Sequence, residues 1–171
     1  MPWRFGASGT DTSSSTYVRF GGTDCQYHYN DTWAFDTTTK AWCELPCSGY
    51  IPAPREGHAA ALVDDIMYVF GGRGVNGANI GQLAAFRISS KRWFMFQNMG
   101  PEPSPRSGHG MVTVGTKVYV LGGVCEEDTK GGKESNVMYI LETSTFRVRP
   151  ILVESRLTRA LGPYRQHQIS V

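Results

Sequence analysis

The sequence has no run of about eighteen apolar side chains, which removes a membrane-crossing helix from the expectations. No basic, apolar, small-residue leader follows Met1, so nothing marks the chain for secretion and the expected compartment is the cytoplasm. Charge of one sign is lacking too: 17 Lys plus Arg stand against 15 Asp plus Glu, a formal +2 over 171 residues. That balance gives no electrostatic footprint for nucleic acid or an acidic membrane. The four cysteines, Cys25, Cys43, Cys47 and Cys125, are too few and scattered for a disulfide scaffold. Cys43 and Cys47 have loosely metal-like spacing, but no second pair or histidine lies at a matching distance for a four-ligand zinc site. No metal or cofactor is therefore expected. Asn30-Asp31-Thr32 fits a glycosylation sequon without a secretory route to modification. No ten-residue window carries the 3.6 period of a helix.

What is abundant is glycine, 20 residues, and its placement is periodic. Gly21-Gly22, Gly71-Gly72 and Gly122-Gly123 recur at intervals of 50 and 51, each ending a short β-rich run. Each is followed by a polar loop and two aromatics seven positions apart: Phe35 and Trp42, Phe86 and Trp93, Tyr139 and Phe146. Upstream of the strands, Arg55-Glu56-Gly57-His58 and Arg106-Ser107-Gly108-His109 lie 51 apart, with Arg4-Phe5-Gly6-Ala7 another 51 before them. Independent landmarks holding one spacing mark an internal repeat of about fifty residues.

Each unit reads as four short strands bounded by Gly, Asp, Ser and Pro. In the second unit they fall at 58–63, 66–70, 83–88 and 92–97. The class is all-β. The paired glycines allow positive φ or close backbone approach where the second strand leaves the sheet. The spaced aromatics fall on strands three and four, where they can pack between neighbouring units.

On glycine pair, spaced aromatics and Arg-x-Gly-His together, the chain resembles the kelch-repeat β-propellers over residues 2–150. The segments TYVRFGGTDCQYHYNDTWAFDTTTKAW, PREGHAAALVDDIMYVFGGRGVNG and LAAFRISSKRWFMFQNMGP resemble the propellers of fungal cell-end-marker proteins. That resemblance implies a non-enzymatic polarity scaffold with cytoskeletal or cortical protein partners, at the cell tip or cortex. The repeats divide the chain at 1–53, 54–104 and 105–150, with 151–171 a divergent tail or a blurred fourth start.

The pattern also breaks. About three blades are present, and closed propellers typically have four to eight, so the chain reads as a propeller fragment needing further blades or self-association. Two such chains would supply six. A truncated product without a function of its own is a further alternative. In the first repeat Ala7 stands for histidine, residues 8–15 offer almost no apolar side chain, and Arg19 stands where Val69 and Val120 stand. A frayed first blade is expected, with Arg19 forced to snorkel, pair or face solvent.

Gly72-Arg73-Gly74-Val75-Asn76-Gly77 satisfies G-x-G-x-x-G, but a dinucleotide site needs a helix next and a strand follows. His58 and His109 share a repeat position and read as structural; so do Gly57 and Gly108. His28 lies in Tyr27-His28-Tyr29 near Asp24 and Cys25, a cluster suited to a partner more than a metal. The periodic Arg4, Arg55 and Arg106 point first to bridging between loops. In a four-stranded antiparallel blade, the connection into strand one and the loop between strands two and three emerge on one side. That geometry gathers Asp24, Tyr27, His28, Tyr29, Arg55, Arg73, Asn76, Arg106, Glu126 and Glu127 into a loop rim, where rigid scaffolds carry recognition. A galactose-oxidase-like copper enzyme shares the architecture, yet no nucleophile triad or carboxylate pair stands out.

Overall fold

A computed structural model of the chain describes residues 8–11, 15–97, 99–125 and 137–152. Blade one consists of β1 (Ser8–Asp11), β2 (Thr16–Thr23), β3 (His28–Asp36) and β4 (Ala41–Glu44), paired in that order. Two short strands, β5 (Ser48–Gly49) and β6 (Arg55–Glu56), lead into blade two. Its strands are β7 (Ala59–Val63), β8 (Ile66–Phe70), β10 (Leu83–Arg87) and β11 (Arg92–Met95), with β9 (Arg73–Gly74) in the loop after β8. After β12 (Arg106–Ser107), blade three comprises β13 (Gly110–Val114), β14 (Lys117–Leu121), β16 (Val137–Glu142) and β17 (Arg147–Leu152), with β15 (Val124–Cys125) between β14 and β16. Blade two matches the strands expected from sequence to within two residues at either end. This is an all-β, partial propeller of three four-stranded antiparallel blades, and β7 lies between β1 and β13.

The core lies between blades. One cluster joins Val18 and Phe20 of blade one to Met67, Val69, Ala84, Phe86 and Trp93 of blade two. A second joins Ala61, Val63, Tyr68 and Ala85 of blade two to Val118, Leu141 and Val148 of blade three. Alternation along β7 and β8 therefore serves two interfaces, one per sheet face. The linker reinforces the first: β5 pairs in parallel with β11, opposing Gly49 to Trp93. A Cβ on Gly49 would stand 2.3 Å from the Trp93 carbonyl oxygen, so only glycine permits that approach.

Three features depart from the sequence expectations. The first strand of blade one forms although it is nearly devoid of apolar residues, pairing with β2 from Ser8↔Phe20 to Asp11↔Tyr17. Backbone hydrogen bonds and the missing Cβ of Gly9, which would otherwise meet the Val18 carbonyl at 2.3 Å, allow it. Arg19 places its guanidinium 5.3 Å from the centroid of the Trp42 ring, a contact the sequence did not indicate.

The third concerns the last aromatic pair. Phe35 faces Trp42 and Phe86 faces Trp93 across their strands, each pair 5.0 Å apart. Tyr139 instead faces Pro150, and Phe146 occupies the turn with φ 49°. Lys40 (φ 57°) and Lys91 (φ 51°) are its true counterparts, and Leu141 facing Val148 is the pair equivalent to Phe86 and Trp93. Leu141 follows Gly122 by 19 positions where Phe86 follows Gly71 by 15, so a constant period misaligns the copies. Phe146 stacks on Phe96 of blade two, 5.2 Å away. The expectations for residues 1–7, Glu126, Glu127 and 153–171 fall outside the described residues.

Candidate functional site: the loop rim

The loop between β2 and β3 is built on Asp24. Its Oδ1 accepts the backbone N–H groups of Gln26 (3.0 Å) and Tyr27 (2.8 Å), and its Oδ2 accepts the Tyr29 hydroxyl (2.7 Å). The Tyr29 bond first, then the two backbone bonds, hold the Asp24 carboxyl below its ordinary pKa. Thr23 Oγ1 donates to the Tyr27 carbonyl (2.8 Å) and accepts from Cys25 N–H (3.1 Å), with Cys25 at φ 74°. A loop so anchored presents Tyr27 outward, 65% exposed.

The connection into the first strand pairs with the loop after the second strand of the same blade. Glu56 of β6 opposes Arg73 of β9, and Ser107 of β12 opposes Val124 of β15. Neighbouring blades are tied along this rim. His28 Nε2 lies 3.6 Å from Glu56 Oε1, Asn30 Nδ2 donates to the Pro52 carbonyl (3.2 Å), and Asn79 Nδ2 donates to the Val124 carbonyl (3.1 Å). Asn76 Oδ1 accepts the Ala78 N–H (3.2 Å) and closes the turn that displays Arg73 and Val75. Gly72 to Gly77 is thus a turn leading into β10, with no helix to receive a phosphate.

Arg55 and Arg106 are corrections to the rim. Arg55 is 0% exposed: Nε donates to the Ala53 carbonyl (3.1 Å), Nη1 to the Gly71 carbonyl (3.1 Å) and Nη2 to Gln82 Oε1 (2.7 Å). Arg106 repeats the arrangement on the carbonyls of Ser104 (3.1 Å) and Gly122 (2.8 Å) and lies 5.6 Å from the Tyr139 ring centroid. Both are spent on the carbonyl of the first glycine of each pair and cannot reach a partner. Burial lowers the Arg55 pKa to about 10, which leaves it cationic at neutral pH.

His58 and His109 are likewise buried, and each bridges to the preceding blade. His58 lies edge-on to Phe20 and His109 to Phe70, both at 5.4 Å between centroids. Burial, then the neighbouring arginine, depresses His58 to about 3 and His109 to about 4. The paired glycines make room for this motif: a Cβ on Gly71 would stand 2.5 Å from the Arg106 carbonyl oxygen and 2.6 Å from the His109 ring.

Asp24, Tyr27, His28 and Tyr29 therefore sit together on one loop, with Arg73 and Asn76 on the equivalent loop of blade two. Glu56 links the two, and sequence reasoning missed it as a rim residue. Its signal was available: it fills the variable position of Arg-x-Gly-His, where the other copies have Phe5 and Ser107. Tyr50, Ile51, Val75 and Val124, exposed apolar residues, were also missed. Thr32 of the sequon is buried under Trp93. Among the described residues no three His, Cys, Asp or Glu side chains gather to hold a metal, and no helix is long and apolar enough to cross a membrane.

Comparison with known proteins agrees with this architecture. The KLHDC2/KLHL20/DRC7 Kelch-repeats domain matches residues 1–123, and the Kelch motif matches residues 105–151. Tip elongation aberrant protein 1 of Schizosaccharomyces pombe is 41% identical over 147 residues, 86% of this chain and 12% of that protein. Rab9 effector protein with kelch motifs of Bos taurus is 35% identical over 120 residues, 68% of this chain and 32% of that protein. Acyl-CoA-binding domain-containing protein 4 of Arabidopsis thaliana is 32% identical over 135 residues, 78% of this chain and 20% of that protein. The chain spans at most a third of the length of these relatives. With three blades joined through repeated Gly-Gly and Arg-x-Gly-His seats, and matches across nearly all of them, the chain belongs to the kelch-repeat family.

Proposed function

We propose that the chain is a non-enzymatic, protein-binding segment of a kelch propeller, which captures cytoskeletal or cortical polarity factors in the cytoplasm at the cell tip. The rim loop carries this reading: Tyr27 stands out on a loop whose shape is held by Asp24, beside the His28 ring and the opposite charges of Glu56 and Arg73. Tyrosine and arginine on rigid loops are favoured interface anchors because they offer large contact area at low entropic cost. The likeness to Tip elongation aberrant protein 1 supports the polarity assignment, and the Rab9 effector relatives support protein binding.

The test is a triple change, Tyr27→Ala, Arg73→Ala and Asn76→Ala, in the bead-bound chain, with bound cytoskeletal and cortical proteins measured from cell lysate. Capture is expected to fall at least tenfold while the melting temperature stays within about 2 °C, since surface changes of this kind alter stability by roughly 0.5 kcal/mol or less. Undiminished capture by the folded variant overturns the rim assignment.

A further inference from the structure

At the end of each blade away from the rim loops, the last residue of the third strand faces the first residue of the fourth. The pair is Asp36 and Ala41 in blade one, Arg87 and Arg92 in blade two, and Glu142 and Arg147 in blade three. An acid facing a base or a small side chain suits that position. Two arginines do not, because like charges directly opposite across strands repel. No acid compensates them: among the described residues the ion pairs belong to Glu56 and Glu142, and neither Arg87 nor Arg92 takes part.

The turn between the two strands does not require these arginines. In blade one Asp36 closes it by accepting the N–H groups of Thr38 (2.7 Å) and Thr39 (3.0 Å). In blade two that task passes to Asp65 on the neighbouring turn. Its Oδ1 accepts the Ser89 N–H (3.0 Å), its Oδ2 accepts the Ser89 hydroxyl, and its carbonyl accepts the Ile88 N–H (2.9 Å). Arg87 is thereby released from the local structure. Both arginines are nevertheless held in place. Their guanidinium carbons lie 5.5 and 5.9 Å from the centroid of one ring, Phe94, which cation–π attraction favours. The stem of Arg92 runs beside Gly49 of β5, where a Cβ would stand 3.0 Å from its Cγ. Both residues are exposed, and Lys91, exposed between them in the chain, adds a third positive charge. Burial, then Asp64, raises the Tyr68 pKa and Arg87 lowers it, so Asp64 lies near Arg87 without forming an ion pair with it.

We infer that Arg87 and Arg92 form a docking point for an acidic segment of a partner protein, whose carboxylates take the two guanidinium forks beside the Phe94 ring. Arginine forks match carboxylate geometry. Two separate forks with a third charge along the turn suit a run of carboxylates better than one compact phosphate. The edge of β11 is already occupied by β5, which opposes Ser48 and Gly49 to Arg92 and Trp93. The partner therefore engages through side chains and not as an added strand. This surface lies at the opposite end of the blade from the rim loops and does not depend on them.

Fluorescence anisotropy of a labelled hexaglutamate peptide, titrated with the full chain at low salt, tests this. The chain is expected to bind the peptide, and Arg87→Glu with Arg92→Glu should weaken binding about tenfold. Arg147→Glu with Arg149→Glu makes the same change of charge in blade three and should alter affinity less than about twofold. Unchanged circular dichroism checks that the variants fold. Arg87→Asp installs the side chain blade one uses at this position. It should weaken binding and, by placing opposite charges across the strands, raise the melting temperature at low salt. That rise separates an arginine kept for recognition from one kept for the fold. Phosphatidylserine vesicles and inorganic phosphate are the comparison probes. No binding of the peptide, an equal loss in the blade-three variant, a lowered melting temperature for Arg87→Asp, or binding of a comparison probe in place of the peptide each overturns the proposal. Partner capture by Tyr27 and its neighbours is read on the rim variants and stands or falls separately.

Discussion

The two interfaces between blades do the same work with different materials. Between blades one and two, Trp93 enters as an aromatic wedge, 4.7 Å from Phe20 and 5.0 Å from Phe86, and its Nε1 donates to Thr32 Oγ1 at 3.1 Å. Between blades two and three the equivalent position is Val148, and Leu141, Val118 and Val120 complete an aliphatic wall. Larger side chains stand around it, Met99 for Ser48, Met111 for Ala60 and Tyr139 for Ala84, yet with Val148 they line an apolar cavity between the blades. The repeat keeps the seat and lets the filler vary, and here the smaller filler leaves the second interface less tightly packed than the first.

The sharpest way to break this comparison is to empty both seats. Trp93→Ala should cost about 3–5 kcal/mol, as removing a buried aromatic generally does, while Val148→Ala should cost roughly half of that. Urea unfolding of each variant measures the difference. Equal losses would mean that the wedge residue does not set the strength of its interface.

Acid comes next in size. His58 and His109 serve one interface each, and both have folded pKa values, about 3 and about 4, below the ordinary 6.5. The unfolded chain therefore binds protons that the folded chain refuses. Their contribution to stability is complete above about pH 6.5 and is lost as pH falls towards 4 and then 3, by about 1.4 kcal/mol per pH unit for each histidine. Denaturant titrations between pH 7 and 4.5 should show this slope, and His109→Gln should remove about half of it. A slope unchanged by that substitution would place the titration elsewhere.

The smallest effect sharpens the role of the hydrogen bond from Trp93 to Thr32 across the first interface. Thr32→Val keeps the shape and removes the acceptor of the Trp93 N–H, and should cost about 1–2 kcal/mol because a buried donor is left without its partner. The fluorescence-detected unfolding midpoint is the readout.

Much of the architecture was legible before any coordinates. The glycine pairs placed the exits of β2, β8 and β14, and blade two was read nearly residue by residue, because strand alternation and turn residues are local signals. Two readings failed for non-local reasons. The aromatic pair Tyr139 and Phe146 has the right spacing by coincidence, and the longer connection before β16 displaced the true pair to Leu141 and Val148. Arg55 and Arg106, which read first as bridges between loops, were also placed on the rim because the connection into strand one emerges beside the loop between strands two and three. Carbonyls supplied by Ala53 and Gly71, and by Ser104 and Gly122, are what make their burial tolerable.

By itself the sequence determined the all-β class, the fifty-residue repeat and the loops that share a rim, since these depend on local conformational preference and on period. Tertiary structure alone decided which repeated side chains are consumed in joining blades, which stay exposed, and that Arg19 rests on Trp42. Those outcomes depend on what lies across an interface, and residues some fifty positions apart in the chain meet there only after the blades have stacked.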